Sequence, residues 1–160
     1  MTYKLSLSPS QRHSRAKNAV AEFLFRQLTV PKVFIDAHWP NQSQRVDVMA
    51  VDRSGAGDVH VVEVKVGTSD LRSAVATIIP IPGHFKYLAL FENDNYMLSE
   101  SSLYAPDGMG RVGVIQVKED HLGDLSVEIR VRAERFKFEA SFKQVDNFTA
   151  ANPPYIEIRP

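Results

Sequence analysis

The chain of 160 residues contains no cysteine. Disulfide bonds, thiolate zinc sites and cysteine nucleophiles are therefore excluded. Its five histidines show no pair at the spacing of a zinc motif, so a histidine zinc site is not predicted either. The glycines form neither a dinucleotide-binding fingerprint nor a phosphate-binding loop, and no Gly-x-Ser-x-Gly elbow occurs. The usual signatures of redox, nucleotide-binding and serine hydrolase proteins are missing.

Long apolar runs are also missing. No stretch approaches the roughly 20 apolar residues that a membrane-spanning helix needs, and the N-terminal residues lack a basic segment followed by an apolar one. We therefore expect a cytoplasmic protein without a membrane partner. The 19 basic and 19 acidic side chains give a net charge of zero, which argues against the strongly basic surface of a tight, nonspecific nucleic-acid binder.

Size and composition predict one domain. A chain of 160 residues with 44% apolar composition can bury a two- or three-layer core. We expect this core to span about residues 12–132, with residues 133–160 as a peripheral segment that is either helical or extended.

Local patterns predict an α/β fold with a mixed sheet. The sequence Ser8-Pro9-Ser10-Gln11 is a capping box that opens a helix to about Leu28. A second amphipathic helix has its apolar stripe at Leu71, Ala74, Val75, Ile78 and Ile79. Strand patterns occur at Arg45–Val51, Val59–Val66, Phe85–Phe91, Arg111–Lys118 and around Val127–Val131. The order of these segments predicts a β-hairpin followed by a right-handed βαβ unit, with helices on both faces of the sheet.

The hairpin carries the most informative polar residues. Because side chains alternate along a strand, Glu63 and Lys65 share one face with Val61. If the two strands pair symmetrically about Gly55, Asp47 stands directly across from Glu63. Cross-strand neighbours have Cβ atoms about 5 Å apart, and like charges at that spacing destabilise a sheet. A divalent cation together with Lys65 would supply the balancing positive charge.

This arrangement resembles the PD-(D/E)xK nuclease superfamily. The motif consists of Arg45-Val46-Asp47 and Glu63-Val64-Lys65, and the resemblance covers the order of elements over roughly residues 12–118. It implies a restriction-endonuclease-like fold in which Asp47, Glu63 and the Val64 backbone carbonyl bind Mg²⁺ or Mn²⁺. It also implies that Lys65 orients or deprotonates the attacking water.

Two details of the resemblance are incomplete. Many members add a glutamate from the first helix, and Glu22 is the only acid of this chain that fits, although an ordinary surface ion pair explains it equally well. Val46 stands where the family often has proline.

The resemblance implies a metal-dependent endonuclease that hydrolyses DNA phosphodiester bonds in repair, recombination or defence. Specificity would then come from DNA structure, from a homodimer or from a partner protein. Two alternatives remain open. One is a non-catalytic module of the same fold that binds nucleic acid or a protein, and the other is an exposed sheet face with ordinary solvated charges. Candidate phosphate contacts, each of which alone is better explained as a solvated side chain, are Arg12, Arg15, Lys17, Arg45 and Arg72.

Overall fold

The computed structural model describes residues 7–39, 45–53, 57–67, 71–94, 96, 99–105 and 110–137. Two α-helices occur in these ranges, α1 (Pro9–Gln27) and α2 (Leu71–Ile78). The six strands are β1 (Pro31–Ala37), β2 (Val46–Asp52), β3 (Asp58–Lys65), β4 (Phe85–Phe91), β5 (Gly113–Glu119) and β6 (Leu125–Val131). Two short 3₁₀ helices, Glu92–Asp94 and Glu100–Leu103, lie between β4 and β5.

Helix α1 begins at the predicted capping box. The Ser8 hydroxyl accepts a hydrogen bond from the Gln11 backbone N–H at 3.3 Å, and the Gln11 side chain accepts one from the Ser8 N–H at 2.8 Å. These bonds satisfy backbone donors that have no partner within the helix. The buried residues of its inward face are Ala16, Val20, Ala21 and Leu24.

The sheet is mixed, as the sequence predicts, and its strands lie in chain order. Strand β2 pairs antiparallel with β1 and with β3, β4 pairs parallel with β3 and with β5, and β6 closes the far edge antiparallel to β5. The hairpin register is the predicted one, because Val51 pairs with Val59 and Val48 with Val62. Strand β3, helix α2 and strand β4 form the predicted βαβ unit.

Each face of the sheet carries one helix. The α1 face buries alternate residues of β2 and β3, including Val48, Ala50, Val62 and Val64, against the inward stripe of α1. The α2 face buries Met49, Val51, Val59 and Val61, against the inward stripe of α2. This alternation follows from the period of two along a strand. It places Glu63 and Lys65 on the side of the sheet that faces α2, but the alternation of β2 is broken at Asp47, because Val46 lies in the core on the α2 face and Val48 in the core on the α1 face.

Residues 133–137 are less peripheral than we expected. Phe136 is buried in the core on the α2 face, and its backbone N–H donates to the His84 carbonyl at 2.7 Å. Strand β5 begins at Gly113 rather than at Arg111, because Arg111 forms isolated bridges to Tyr104 and Glu134. The remainder of the predicted peripheral segment, residues 138–160, lies outside the described residues. In the described part of the chain, no helix is long and apolar enough to cross a membrane.

Candidate functional site

The site lies where the β2–β3 hairpin opens. The paired positions of the hairpin end at Val48 and Val62, and beyond them the Val64 N–H donates to the Asp47 carboxylate oxygen Oδ2 at 2.8 Å. A side-chain oxygen therefore takes the role that a backbone carbonyl has elsewhere in the ladder. This bond fixes the Asp47 carboxylate beside the end of β3, with only 14% of its side chain exposed.

Glu63 is the electrostatically perturbed residue of the site. Burial, together with the nearby negative charge of Asp47, raises the pKa of Glu63 from 4.5 to about 7, while Lys65 acts in the opposite direction. Its oxygen Oε1 lies 3.6 Å from Lys65 Nζ. The other oxygen, Oε2, is buried and accepts no hydrogen bond from any described residue. Among the described residues, Glu63 therefore has one buried oxygen without a donor, and Lys65 is the cation that offsets its charge.

Helix α1 brings a histidine to the same place. His13 Nε2 lies 3.1 Å from the Val64 carbonyl oxygen and 3.3 Å from Asp47 Oδ2. His13 was not among the residues predicted for the site, because the histidines of the chain show no pair at the spacing of a zinc motif. At 100° per residue, His13 points within about 20° of the buried Val20, which lies seven positions later. The helix period therefore predicts that His13 faces inward. Its contacts with Asp47 and Val64 could not be predicted from the sequence.

Glu22 is not brought to this site. It lies nine residues after His13, which is about 13 Å along the helix and about 180° around it, and it is exposed. A helix that contributes His13 to the end of β3 must direct Glu22 away from it. The side chain that α1 supplies is therefore an imidazole and not the expected glutamate.

Asp36 is directed away from the two acids by its backbone. In the β1–β2 ladder, Ile35 pairs with Val48 and Ala37 with Val46, so a regular strand would place Asp36 beside Asp47. Asp36 instead adopts a φ of 53°, in the left-handed region that non-glycine residues rarely use. Both of its carboxylate oxygens accept hydrogen bonds from Lys17 on α1 at 2.9 Å. The irregularity keeps a third negative charge out of the site.

Asp94 links α1 to the end of β3. Its Oδ1 accepts a hydrogen bond from Arg12 at 2.8 Å, and its Oδ2 accepts one from the Gly67 N–H at 2.7 Å. Arg12 also stacks over the Phe91 ring at 4.4 Å. Because Gly67 follows Lys65 by two residues, this link fixes the chain just beyond Glu63 and Lys65 against the first turns of α1.

The candidate phosphate contacts have different surroundings. Arg12 and Lys17 form the ion pairs with Asp94 and Asp36 just described, and Arg15 donates to the Gly123 carbonyl. These three side chains therefore hold α1 against the rest of the fold. Arg45 directly precedes β2 and is exposed, and Arg72 is exposed in the first turn of α2.

We compared the site with what a divalent cation requires. Among the described residues, no three His, Cys, Asp or Glu side chains converge into a metal cluster. The expected set differs from such a cluster because it consists of two carboxylates and a backbone carbonyl, a donor set that suits Mg²⁺ or Mn²⁺. The buried Glu63 Oε2 without a donor and the Asp47 carboxylate fixed by Val64 fit such an ion.

Comparisons with known proteins give a likeness of fold. No protein-family model matches the chain, and no curated protein does. A solved structure, described as the SPO1766 protein of unknown function from Silicibacter pomeroyi, is similar with a TM-score of 0.57 and 19% sequence identity. The match covers 91% of this chain and 84% of that one. The α/β fold with its six-stranded mixed sheet and two helices is thus shared with a protein whose function is not described.

Proposed function

We propose that this protein is a nuclease of the PD-(D/E)xK type that hydrolyses DNA phosphodiester bonds with Mg²⁺ or Mn²⁺. The observation that carries the proposal is the Glu63 carboxylate, which lies buried beside Asp47 with one oxygen lacking a hydrogen-bond donor among the described residues. Stability alone disfavours such a carboxylate, since a buried oxygen without a hydrogen-bond donor is costly. Perturbed acids of this kind cluster at functional sites.

In this proposal Asp47, Glu63 and the Val64 carbonyl hold the cation. The cation, when bound, supplies Lewis acidity toward a phosphate oxygen and lowers the pKa of water. The residues themselves position the reaction. The Val64 N–H holds Asp47 in one orientation, and Asp94 holds the chain that follows Lys65.

Lys65 is the proposed partner of the attacking water. Its Nζ lies beside Glu63, and 31% of the side chain is exposed, so it is accessible to a substrate phosphate. From there its three N–H donors can orient water or offset the negative charge that develops on the phosphoryl oxygens.

DNA is the proposed substrate, and Arg45 and Arg72 are the proposed phosphate contacts. Arg45 is exposed two positions before Asp47, which suits contact with the strand being cleaved. Arg12, Arg15 and Lys17 hold α1 against the rest of the fold and contribute less in this proposal. Because net charge is zero, we propose that a second copy of the chain or a partner protein adds affinity for DNA in the cytoplasm.

The test is nicking of supercoiled plasmid at low salt with Mn²⁺. Wild type is compared with Lys65→Ala, with a chelated sample, and with Lys118→Ala as a matched control. Lys118 also pairs with a glutamate, at 3.2 Å, but lies on β5 away from the acids. We expect nicking by wild type and by Lys118→Ala, with loss in the other two samples. Metal binding without cleavage of any DNA form would favour the non-catalytic module, and absence of metal binding would refute the proposed site.

A further inference from the structure

We propose that a cavity between the second half of α1 and the sheet binds a small planar aromatic molecule that carries one carboxylate. The cavity has a volume of about 270 Å³ and lies on the α1 face, whereas Glu63 and Lys65 face α2. The proposal is therefore independent of the proposed nuclease function. It assigns Arg132 as the partner of the carboxylate, and the aromatic side chains of β3 and β4 as the surface that receives the ring of the ligand.

The walls of the cavity are mainly apolar. Helix α1 contributes Phe23 and Leu28 to one wall, and the opposite wall contains Phe85 and Tyr87 of β4 and Ile129 of β6. All of these except Tyr87 are only partly buried, so the side chains of the described residues leave apolar surface in the cavity exposed to solvent. A ligand that covers this surface removes it from water, which favours binding.

Aromatic rings on the sheet favour a flat ligand. His60 of β3 and Phe85 of β4 are stacked, with ring centroids 4.8 Å apart and planes inclined by 19°. Burial lowers the pKa of His60 from 6.5 to about 4, so its imidazole is neutral near pH 7 and adds no charge to the cavity. Aromatic rings pack on one another in offset-stacked or edge-to-face arrangements. A planar ring therefore fits this wall better than a branched aliphatic group of similar volume.

The position of the Tyr87 ring depends on Gly113 of β5. The two residues pair in the sheet, and a Cβ at position 113 would lie 2.5 Å from the Tyr87 ring. The ring therefore lies over β5 at a position without a side chain, and its hydroxyl oxygen accepts a hydrogen bond from the Ala133 backbone. Glycine within a strand often marks such a close approach. The ring is thus held against the sheet as a wall of the cavity.

A β-bulge brings Arg132 to the cavity. Two successive residues of β5 pair with Ile129 and with Val131, so Arg130 is an extra residue of β6. As a result, Ile129 packs on the α1 face while Val131 packs on the α2 face. The next residue, Arg132, returns to the α1 face and lines the cavity with Ile129. Bulges commonly redirect side chains in this way beside functional sites.

Arg132 supplies the positive charge that a carboxylate requires. Burial raises the pKa of Tyr87, and the charge of Arg132 opposes this rise, which shows that the guanidinium lies near the phenol. The nearby Arg111 and Arg135 are each paired with a carboxylate, at 3.7 and 2.7 Å. No carboxylate of a described residue lies within ion-pair distance of the Arg132 guanidinium. Its planar fork can therefore bind a ligand carboxylate through two parallel hydrogen bonds.

The volume of the cavity limits the ligand to one small ring system. A water molecule occupies about 30 Å³ in the liquid, so the cavity corresponds to about nine water molecules. Sites for drug-sized ligands have volumes of about 300–1,000 Å³. A molecule of the size of benzoate or indole-2-carboxylate fits this space, whereas a dinucleotide is too large to be enclosed.

The experiment is calorimetric titration of the full chain with benzoate and with indole-2-carboxylate, in the presence of chelator. Benzamide has the ring without the charge, and cyclohexanecarboxylate has the charge without a planar ring. Arg132→Gln removes the cation at an exposed position. Arg26→Gln is the matched control, because Arg26 is exposed on α1 and does not line the cavity. Amide chemical shifts locate the bound ligand, and thermal melting of each variant confirms that it is folded.

We expect at least one of the two aromatic acids to bind with a Kd of about 0.1 mM. Binding should shift the amide signals of Gly113 and Ala133. Arg132→Gln should weaken it about tenfold, while Arg26→Gln leaves it unchanged. Benzamide and cyclohexanecarboxylate should both bind more weakly than the aromatic acid.

Three results would overturn the proposal. The first is that neither aromatic acid binds at millimolar concentration. The second is that binding is equally strong in Arg132→Gln and in wild type. The third is that benzamide or cyclohexanecarboxylate binds as tightly as the aromatic acid, since the site would then recognise no charge or no planar ring. None of these results bears on plasmid nicking, which tests the proposed function separately.

Discussion

Replacing Glu63 by glutamine should stabilise the metal-free protein at alkaline pH. The folded protein holds the Glu63 proton up to a pKa of about 7, whereas the ordinary value is 4.5. Below pH 4.5 the carboxyl is protonated in both the folded and the unfolded chain, and its contribution to stability is fully present. As the pH rises from 4.5 to 7 the unfolded chain releases its proton first, so stability is lost. Above pH 7 the ionised carboxylate remains buried at a cost.

The size of the effect follows from the shift in pKa. A displacement from 4.5 to about 7 corresponds to about 3 kcal/mol at full strength. Residual contact with solvent screens the charge, so we expect about 1.5–2 kcal/mol. Glutamine has nearly the same shape and carries no charge at any pH. For a chain of this size, Glu63→Gln should therefore melt about 5 °C higher than wild type at pH 8 and nearly equally at pH 5.

The assay is thermal unfolding followed by circular dichroism in the presence of chelator, at pH 5, 6, 7 and 8. Glu22→Gln is the matched control, since it makes the same chemical change at an exposed position of α1. It should change the melting temperature little at any pH. The reasoning is refuted if Glu63→Gln is no more stable than wild type at pH 8, or if its gain is the same at pH 5. Addition of Mn²⁺ should reverse the order, because only wild type retains both carboxylates for binding.

Two further changes test the packing around the site. Asp94→Ala removes the carboxylate that accepts hydrogen bonds from Arg12 and from the Gly67 N–H. Its loss should lower the free energy of chemical unfolding by about 2 kcal/mol and weaken Mn²⁺ binding. Unchanged Mn²⁺ binding would show that Asp94 does not position the site. Gly113→Ala should cost about 1–3 kcal/mol in the same assay, because its Cβ would lie 2.5 Å from the Tyr87 ring and 2.6 Å from the Ala133 nitrogen. A stability equal to wild type would mean that β5 can move away from both.

The parts of the fold that the sequence predicted are those set by local signals. The capping box between Ser8 and Gln11 sets the start of α1, and it requires only residues that are close together in the sequence. The hairpin register follows from alternating valines on both sides of one turn, because slipping by one residue would expose the buried face. Asp47 and Glu63 were found together for the same reason. They directly follow the last paired positions of that register, Val48 and Val62, and their side chains interact where the hairpin opens.

The residues that the sequence did not reveal are brought in by tertiary packing. His13 contacts Val64, which lies 51 positions away, and the partner is a backbone carbonyl that every residue possesses. No pattern of residue types marks such a contact. Phe136 lies in the segment 133–160 that was expected to be peripheral, and its backbone N–H donates to the His84 carbonyl across the fold. Glu22 matched a family pattern by residue type, while the 100° step of the helix directs it elsewhere.

The strand order has a consequence for how this protein folds. Each of the six strands pairs only with the strands next to it in the chain, so the sheet can grow one strand at a time at an open edge. No later strand must be inserted between two that are already paired, which favours fast assembly. Helix α1 and the hairpin leave the ribosome before the last three strands. We therefore expect the two acids to be adjacent in a half-built sheet, still hydrated, and to be enclosed only when Asp94 and the later strands arrive.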